Sequence, residues 1–178
     1  MRLAQIITMI TAMLFAGGCG TNAPDDNILD GGDEMMKKKE IGSFQFSHGG
    51  SSTDQIYDYK FYQDEEGTHL TAELNCGWEK LEVDVDAEIM DQLEEIVYTH
   101  RMEDWNGFDK TDSLIMDGES FSLCICFMDG TMITAHGGNA FPKGYGNAES
   151  AFNEIFWNLT ETHADKIVQV DPYDYSDE

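Results

Sequence analysis

Five stretches of this chain alternate apolar and polar side chains with a period of two, which commits each of them to a strand with one buried face. Phe44 and Phe46 open the series. Tyr57, Tyr59 and Phe61 follow, then Leu70, Ala72, Leu74 and Cys76, then Leu81, Val83 and Val85. Loop-forming residues separate them, at His48–Asp54 and at Asp64-Glu65-Glu66-Gly67. Four such segments joined by short turns predict an antiparallel meander. The fifth, Phe121, Leu123, Ile125 and Phe127, is followed by Asp129-Gly130, a pair suited to a two-residue type I′ turn. That turn pairs Phe127 with Met132, Cys126 with Ile133, Ile125 with Thr134, Cys124 with Ala135 and Leu123 with His136.

Two segments carry the helical period instead. Ile89, Met90, Leu93, Ile96 and Val97 predict a helix over Ala87–His100, with Asp86 capping its first turn. Ala151, Phe152, Ile155, Phe156 and Leu159 predict a second, from about Asn147 to Ala164. Arg101 to Glu119 shows no clean period and reads as a structured loop, and Ile167–Val170 is a candidate last short strand. The expected fold is α+β, with one mainly antiparallel sheet of about six strands, two amphipathic helices and the order ββββ-α-ββ-α. The domain is placed at 41–170, with an acidic tail at 171–178.

The first forty residues read as an address and a tether. Leu3 to Phe15 is uncharged, short for a membrane span of roughly 20 residues, and suited to the apolar core of a secretory signal. Ala16-Gly17-Gly18-Cys19 follows and resembles the end of a bacterial lipoprotein signal, although Ala16 stands where Leu is usual. The resemblance implies cleavage before Cys19 and a lipid on its sulfur, with 1–18 as signal peptide. A plain secretory signal cut near Ala16 is the alternative. Residues 19–40, rich in Asp and Gly, predict an acidic flexible tether. Lys37-Lys38-Lys39 is the one basic cluster, read as a solvated approach to the first strand rather than a headgroup contact.

Composition excludes several functions. The chain has 35 acidic and 10 basic side chains, a formal charge of -25, which argues against a nucleic-acid partner. No two of the five histidines have zinc-protease spacing, and Cys124-x-Cys126 lacks a second ligand pair, so no metal is expected. Cys76, Cys124 and Cys126 read as small buried hydrophobes, not bridge partners. No nucleophile motif appears, and carboxylate pairs such as Asp84/Asp86 or Asp109/Asp112 are expected at this density by chance. No catalytic residue and no cofactor is assigned. The loop Gly137–Gly146 follows a strand and precedes a helix, as phosphate cradles do, but Phe141-Pro142 interrupts it and no Gly-Lys-Ser/Thr ends it. It reads as a connection whose glycines allow positive φ and whose Phe141 plugs the core.

Large aromatic residues outside the clean strands are either plugs or a recognition surface. If the domain binds a ligand, Trp105, Phe108, Phe141, Lys143 and Tyr145 are the expected surface. Trp105-Asn-Gly-Phe108, Asp117-Gly118-Glu-Ser-Phe121, Asp129-Gly130 and Phe141-Pro142 together resemble domains of unknown function in bacterial envelope lipoproteins. That loose pattern covers about the last third of the domain. It implies an extracytoplasmic, lipid-anchored location and an α+β fold, and supplies no catalytic residues. The expectation is a membrane-anchored binding or interaction module with an envelope protein or glycan as partner. The alternative is a carboxylate-dependent glycan hydrolase of the envelope.

Overall fold

In the computed structural model the described residues are 38–50, 56–115 and 117–171. The signal segment, Cys19, the tether up to residue 37 and the tail from residue 172 lie outside them. The alternating segments form β1 (Ile41–Gly50), β2 (Tyr57–Gln63), β3 (Thr68–Leu74) and β4 (Glu79–Val85). Helix α1 (Glu88–Thr99) comes next, then β5 (Phe108–Thr111), β6 (Glu119–Phe127), β7 (Met132–Gly138), helix α2 (Tyr145–Thr162) and β8 (Val168–Gln169). The Asp86 carboxylate accepts from the Glu88 amide at 3.0 Å, capping the first turn of α1.

All eight strands lie in one sheet, in the order β5-β7-β6-β1-β2-β3-β4-β8. The expectation of about six mainly antiparallel strands is corrected: among the described residues there are eight, the sheet is mixed, and the order is ββββ-α-βββ-α-β. The extra strands are the two edges. Short β5 pairs in parallel with β7, Phe108 opposite Ala135 and Thr111 opposite Gly138. Its four residues, Phe-Asp-Lys-Thr, are too few to show a period. What holds it is local: the Gly107 amide donates to Thr134 O at 2.8 Å, and the Asn106 side-chain oxygen accepts from the Thr134 amide at 3.0 Å. The other edge, β8, pairs with β4 through two residues only.

The connection between β6 and β7 differs from expectation by one residue. Gly130, at φ 82°, donates to Phe127 O, and Phe127 donates to Thr131 O, so the loop has three residues, Met128-Asp129-Gly130. This is the three-residue hairpin with a left-handed third position. The register then pairs Ile125 with Ile133, Leu123 with Ala135 and Cys126 with Met132. A two-residue loop would have set Thr134 and His136 against the inward Ile125 and Leu123. A shift of one residue exchanges the faces of a whole strand, so burial of Ile133 and Ala135 selects the longer loop.

Both helices contribute to the core formed on one face of the sheet. The inward rows run through Ile125, Phe44, Phe61 and Leu70, and through Leu123, Phe46, Tyr59 and Ala72. Met90, Leu93 and Val97 of α1 and Ala148, Phe152 and Phe156 of α2 complete it. The buried stripe of α2 is Tyr145, Ala148, Phe152, Phe156 and Thr160; Ala151, Ile155 and Leu159 are only half-buried. Lys38 lies 3.8 and 3.6 Å from Glu94 and Glu95 of α1, and Lys39 3.1 Å from Asp129. These lysines hold the start of β1 against its neighbours.

The cysteines depart from expectation. Cys76 lies beyond β3 in a turn, at φ 60°, and is exposed. Cys124 and Cys126 alternate with the inward Leu123, Ile125 and Phe127, so they occupy the outer face and are half-buried. Gly137 and Gly138 belong to β7. A Cβ on Gly137 would sit 2.1 Å from Ala140 O and 2.5 Å from the Phe121 ring. Gly137→Ala is therefore expected to cost about 1–3 kcal/mol through overpacking, read as a lower urea midpoint with an unchanged slope. An unchanged midpoint would show that the loop yields freely.

Candidate functional site

The loops singled out for their aromatic residues meet at one place. Helix α1 ends where Arg101 takes a left-handed conformation at φ 51°, turning the chain into a short 3-10 turn, Met102–Trp105. That reversal drives Trp105 into the core, 2% exposed, and its indole N–H donates to Lys143 O at 3.1 Å. Two loops far apart in sequence are thereby tied together just ahead of α2. Tyr145, also buried, packs its ring 5.9 Å from Trp105, 4.7 Å from Phe141 and 4.6 Å from Phe121. Phe108 is half-buried with its ring 6.3 Å from Phe121. Phe141, expected as a plug, stacks on Phe121 yet remains 38% exposed.

All five residues named from the sequence are thus neighbours, with different parts to play. Trp105 and Tyr145 are buried supports; Phe141 and Lys143 are exposed, and Phe108 lies between these extremes. Trp105, Phe108, Phe141 and Lys143 border a recess of about 510 Å³ lined by the end of α1, the 3-10 turn, β5 and residues 141–144, while Tyr145 packs beside it without lining it. This volume falls within the range of small-ligand sites.

Its charge is unusual for this chain. Among the described residues the Lys and Arg are Lys38, Lys39, Lys60, Lys80, Arg101, Lys110, Lys143 and Lys166, and three of these eight line the recess. His100 adds an imidazole, and the one carboxylate in the lining is Asp104, paired with Arg101 at 3.2 Å. Lys110 lies 5.3 Å above the Phe108 ring. Lys143 makes no ion pair among the described residues. Sequence reading found Lys143 but missed Arg101 and Lys110, because their convergence depends on parallel β5, which had no sequence signal.

Along α2 runs a part-buried set of polar contacts that sequence reading also missed. The Tyr145 hydroxyl donates to Glu149 Oε1 at 2.9 Å, and His48 Nδ1 lies 3.3 Å from the same oxygen. Deeper in, the Tyr59 hydroxyl donates to Asn153 Oδ1 at 2.9 Å, and the Asn153 amide donates to the Tyr57 hydroxyl at 2.7 Å. Tyr145, Glu149 and Asn153 recur every four residues along α2, a spacing visible in the sequence once α2 is placed. Burial pushes Tyr57, Tyr59 and Tyr145 above the ordinary tyrosine range, so all three hydroxyls stay protonated. The Glu149 carboxylate raises the His48 imidazole above its ordinary value, against the opposing effect of burial.

A second depression, about 520 Å³, lies between α1 and α2 and is bordered by Ile89, Ile96, Ile155 and Leu159 with Glu95 and Glu154. It has no cations to orient an anion. On the outer sheet face His69 bridges Asp84 at 2.8 Å and Asp64 at 3.0 Å, tying the β2–β3 turn to β4. Burial, then the adjacent Cys126, raises the Cys124 thiol above its ordinary value.

No protein-family model, no curated protein and no solved structure matches this chain. Its function is therefore approached from the residues themselves. Trp105→Ala is expected to cost about 3–5 kcal/mol, the range for a fully buried aromatic, measured by urea unfolding; a loss below 1 kcal/mol would contradict its role as a support. Because the folded state raises the His48 value, its contribution to stability is present below about pH 6.5, the ordinary histidine value. It is lost as pH rises through the higher folded value. Unfolding midpoints compared at pH 6 and pH 9 are expected to differ less in His48→Gln than in the parent chain, His69 contributing equally to both. An equal difference would remove His48 from the account.

Proposed function

We propose that this chain is a lipid-anchored, extracytoplasmic binding module and that its ligand occupies the recess at the end of α1. The observation that carries this reading is the gathering of Arg101, Lys110 and Lys143 around an aromatic floor, in a chain of charge -25. A surface of that net charge repels anions at long range. Three cations against one carboxylate give the recess lining a local excess of positive charge. The exposed Phe141 offers a flat apolar face and Lys143 an ammonium that makes no ion pair among the described residues, a combination suited to a sugar ring bearing a carboxylate or phosphate. An acidic glycan segment of the envelope is the proposed ligand class, and the acyl chains on Cys19 would hold the module beside it. Two chains suffice for stable anchoring.

The support offered to the recess favours binding without chemistry. Trp105 and Tyr145 are buried, Trp105 bonded to Lys143 O and Tyr145 to Glu149, and they hold the loop that walls the recess before a ligand arrives. Arg101, Lys110 and Lys143 supply charge and hydrogen-bond donors to the lining.

An oligogalacturonate tetramer serves as a probe. Calorimetric titration of the full chain is expected to show binding that weakens by about tenfold in Lys143→Glu, equivalent to about 1.4 kcal/mol, and also weakens in Phe141→Ala. A neutral oligosaccharide of the same length is expected to bind more weakly. Equal affinity for charged and neutral probes, or no effect of Lys143→Glu, would remove the recess from the proposal. The anchor is tested separately: Cys19→Ser is expected to abolish incorporation of a labelled fatty acid in cells, and persistent labelling would refute it.

A further inference from the structure

On the sheet face away from the helices, sulfur atoms accumulate at one corner. Cys124 and Cys126 occupy successive outward positions of β6, and their Sγ atoms lie 4.0 Å apart. Met132 of β7 stands directly opposite Cys126 in the register. Met128 is exposed at the intervening turn, its Sδ 3.0 Å from where a Cβ on Gly42 would sit, and Cys126 O lies 3.6 Å from that same point. The three-residue hairpin loop makes this arrangement. With a two-residue loop Ile133 would oppose Cys126, and Met132 would pair with the inward Phe127.

We propose that Cys124, Cys126 and Met132 form a site for a soft monovalent metal ion, copper(I) in the first instance. Thiolate and thioether sulfurs select such ions over hard cations and over most divalent ones. Two thiolates 4.0 Å apart, each bonded at about 2.3 Å, subtend an angle of about 120° at the metal, the opening of a three-coordinate site. Met132 supplies the third donor from the adjacent strand, and Met128 is placed to shield or supplement it. Zinc normally takes four ligands from cysteine, histidine and carboxylates. Among the described residues no group of three such side chains comes together. Binding displaces one proton from each thiol and leaves sulfur and metal oxidation states unchanged. The two thiolates and one copper(I) carry a net charge of -1, and Lys60 is close enough for its charge to act on Cys124.

The sequence shows Cys-x-Cys-x-Met-x-x-x-Met, but only the register shows that these sulfurs share a face. The site lies on the face opposite the helices and does not depend on the glycan reading.

The full chain, reduced and handled without oxygen, is titrated with copper(I) in competition with bathocuproine disulfonate. One copper per chain is expected, with X-ray absorption showing sulfur neighbours alone. Cys126→Ser and Met132→Leu are each expected to weaken binding at least about tenfold, the smallest loss typical even for groups that only support a ligand. Both side chains are on the outer face, and far-UV circular dichroism identifies any variant that fails to fold; either folded variant then decides the question. Cys76→Ser and Cys19→Ser are expected to bind as the parent does. Undiminished binding in either folded variant, Cys126→Ser or Met132→Leu, loss of binding in Cys76→Ser, or oxygen and nitrogen neighbours in the absorption spectrum would overturn the assignment. So would failure of the chain to compete with bathocuproine disulfonate for copper(I) at all.

Discussion

The packing of α2 against β1 and β2 is the constraint on which the rest of the domain depends. The Tyr59 ring lies 4.0 Å from Phe156 in a stacked arrangement, and Phe46 lies 4.7 Å from Phe152. Such pairs contribute about 0.5–1.5 kcal/mol each beyond the area they bury. They also fix the azimuth of α2, because Phe152 and Phe156 sit one turn apart and both must face the sheet. Once that azimuth is set, Glu149 and Asn153 have one direction in which to point. They hydrogen-bond Tyr145, Tyr57 and Tyr59, and Glu149 Oε1 also lies 3.3 Å from His48 Nδ1.

From this the two surfaces of interest follow by geometry. The N-terminal end of α2 is placed by Tyr145, so the loop before it, with Phe141 and Lys143, is held against Trp105 and the end of α1. On the opposite face a strict two-residue alternation puts helices over Phe44, Phe46, Tyr59 and Ile125 and leaves Cys124, Cys126 and Met132 outside. The same alternation therefore builds a core and exposes sulfur. Acidic side chains spread over the remaining surface keep the domain soluble and deter anions, which sharpens the local contrast at the recess.

Much of the fold was legible in the sequence where burial is periodic. β1 to β4, β6, α1 and α2 each carry a period of two or of about 3.6, and each was found within a few residues. What was not legible depends on pairing rather than pattern. β5 is a short edge held by Gly107 and Asn106 rather than by alternation, whereas β8 falls within the Ile167–Val170 stretch expected as a last short strand. The β6–β7 register could not be read from Asp129-Gly130 alone, because that pair serves both two- and three-residue loops; burial of Ile133 and Ala135 decides it. The five aromatic-loop residues were named from composition, and the structure brings them together. Arg101 and Lys110 were missed because a parallel edge strand carries Lys110 into place. The sulfur corner was missed for the same reason as the register.

First in the chain and central in the sheet, β1 joins β6 across a long sequence separation, so the core is a single cooperative unit with its least stable parts at the edges. Native-state hydrogen exchange on the full chain tests this most directly. The amides of Phe44, Phe46, Tyr59, Leu123 and Ile125, together with those of Phe152 and Phe156 in α2, are expected to exchange only through global unfolding, with one shared free energy. Amides of β5 and β8 are expected to exchange faster, through local opening. Exchange of α2 at a distinctly lower free energy than β1 would contradict the account, because it would show that the sheet stands without the aromatic packing that is held here to organise it.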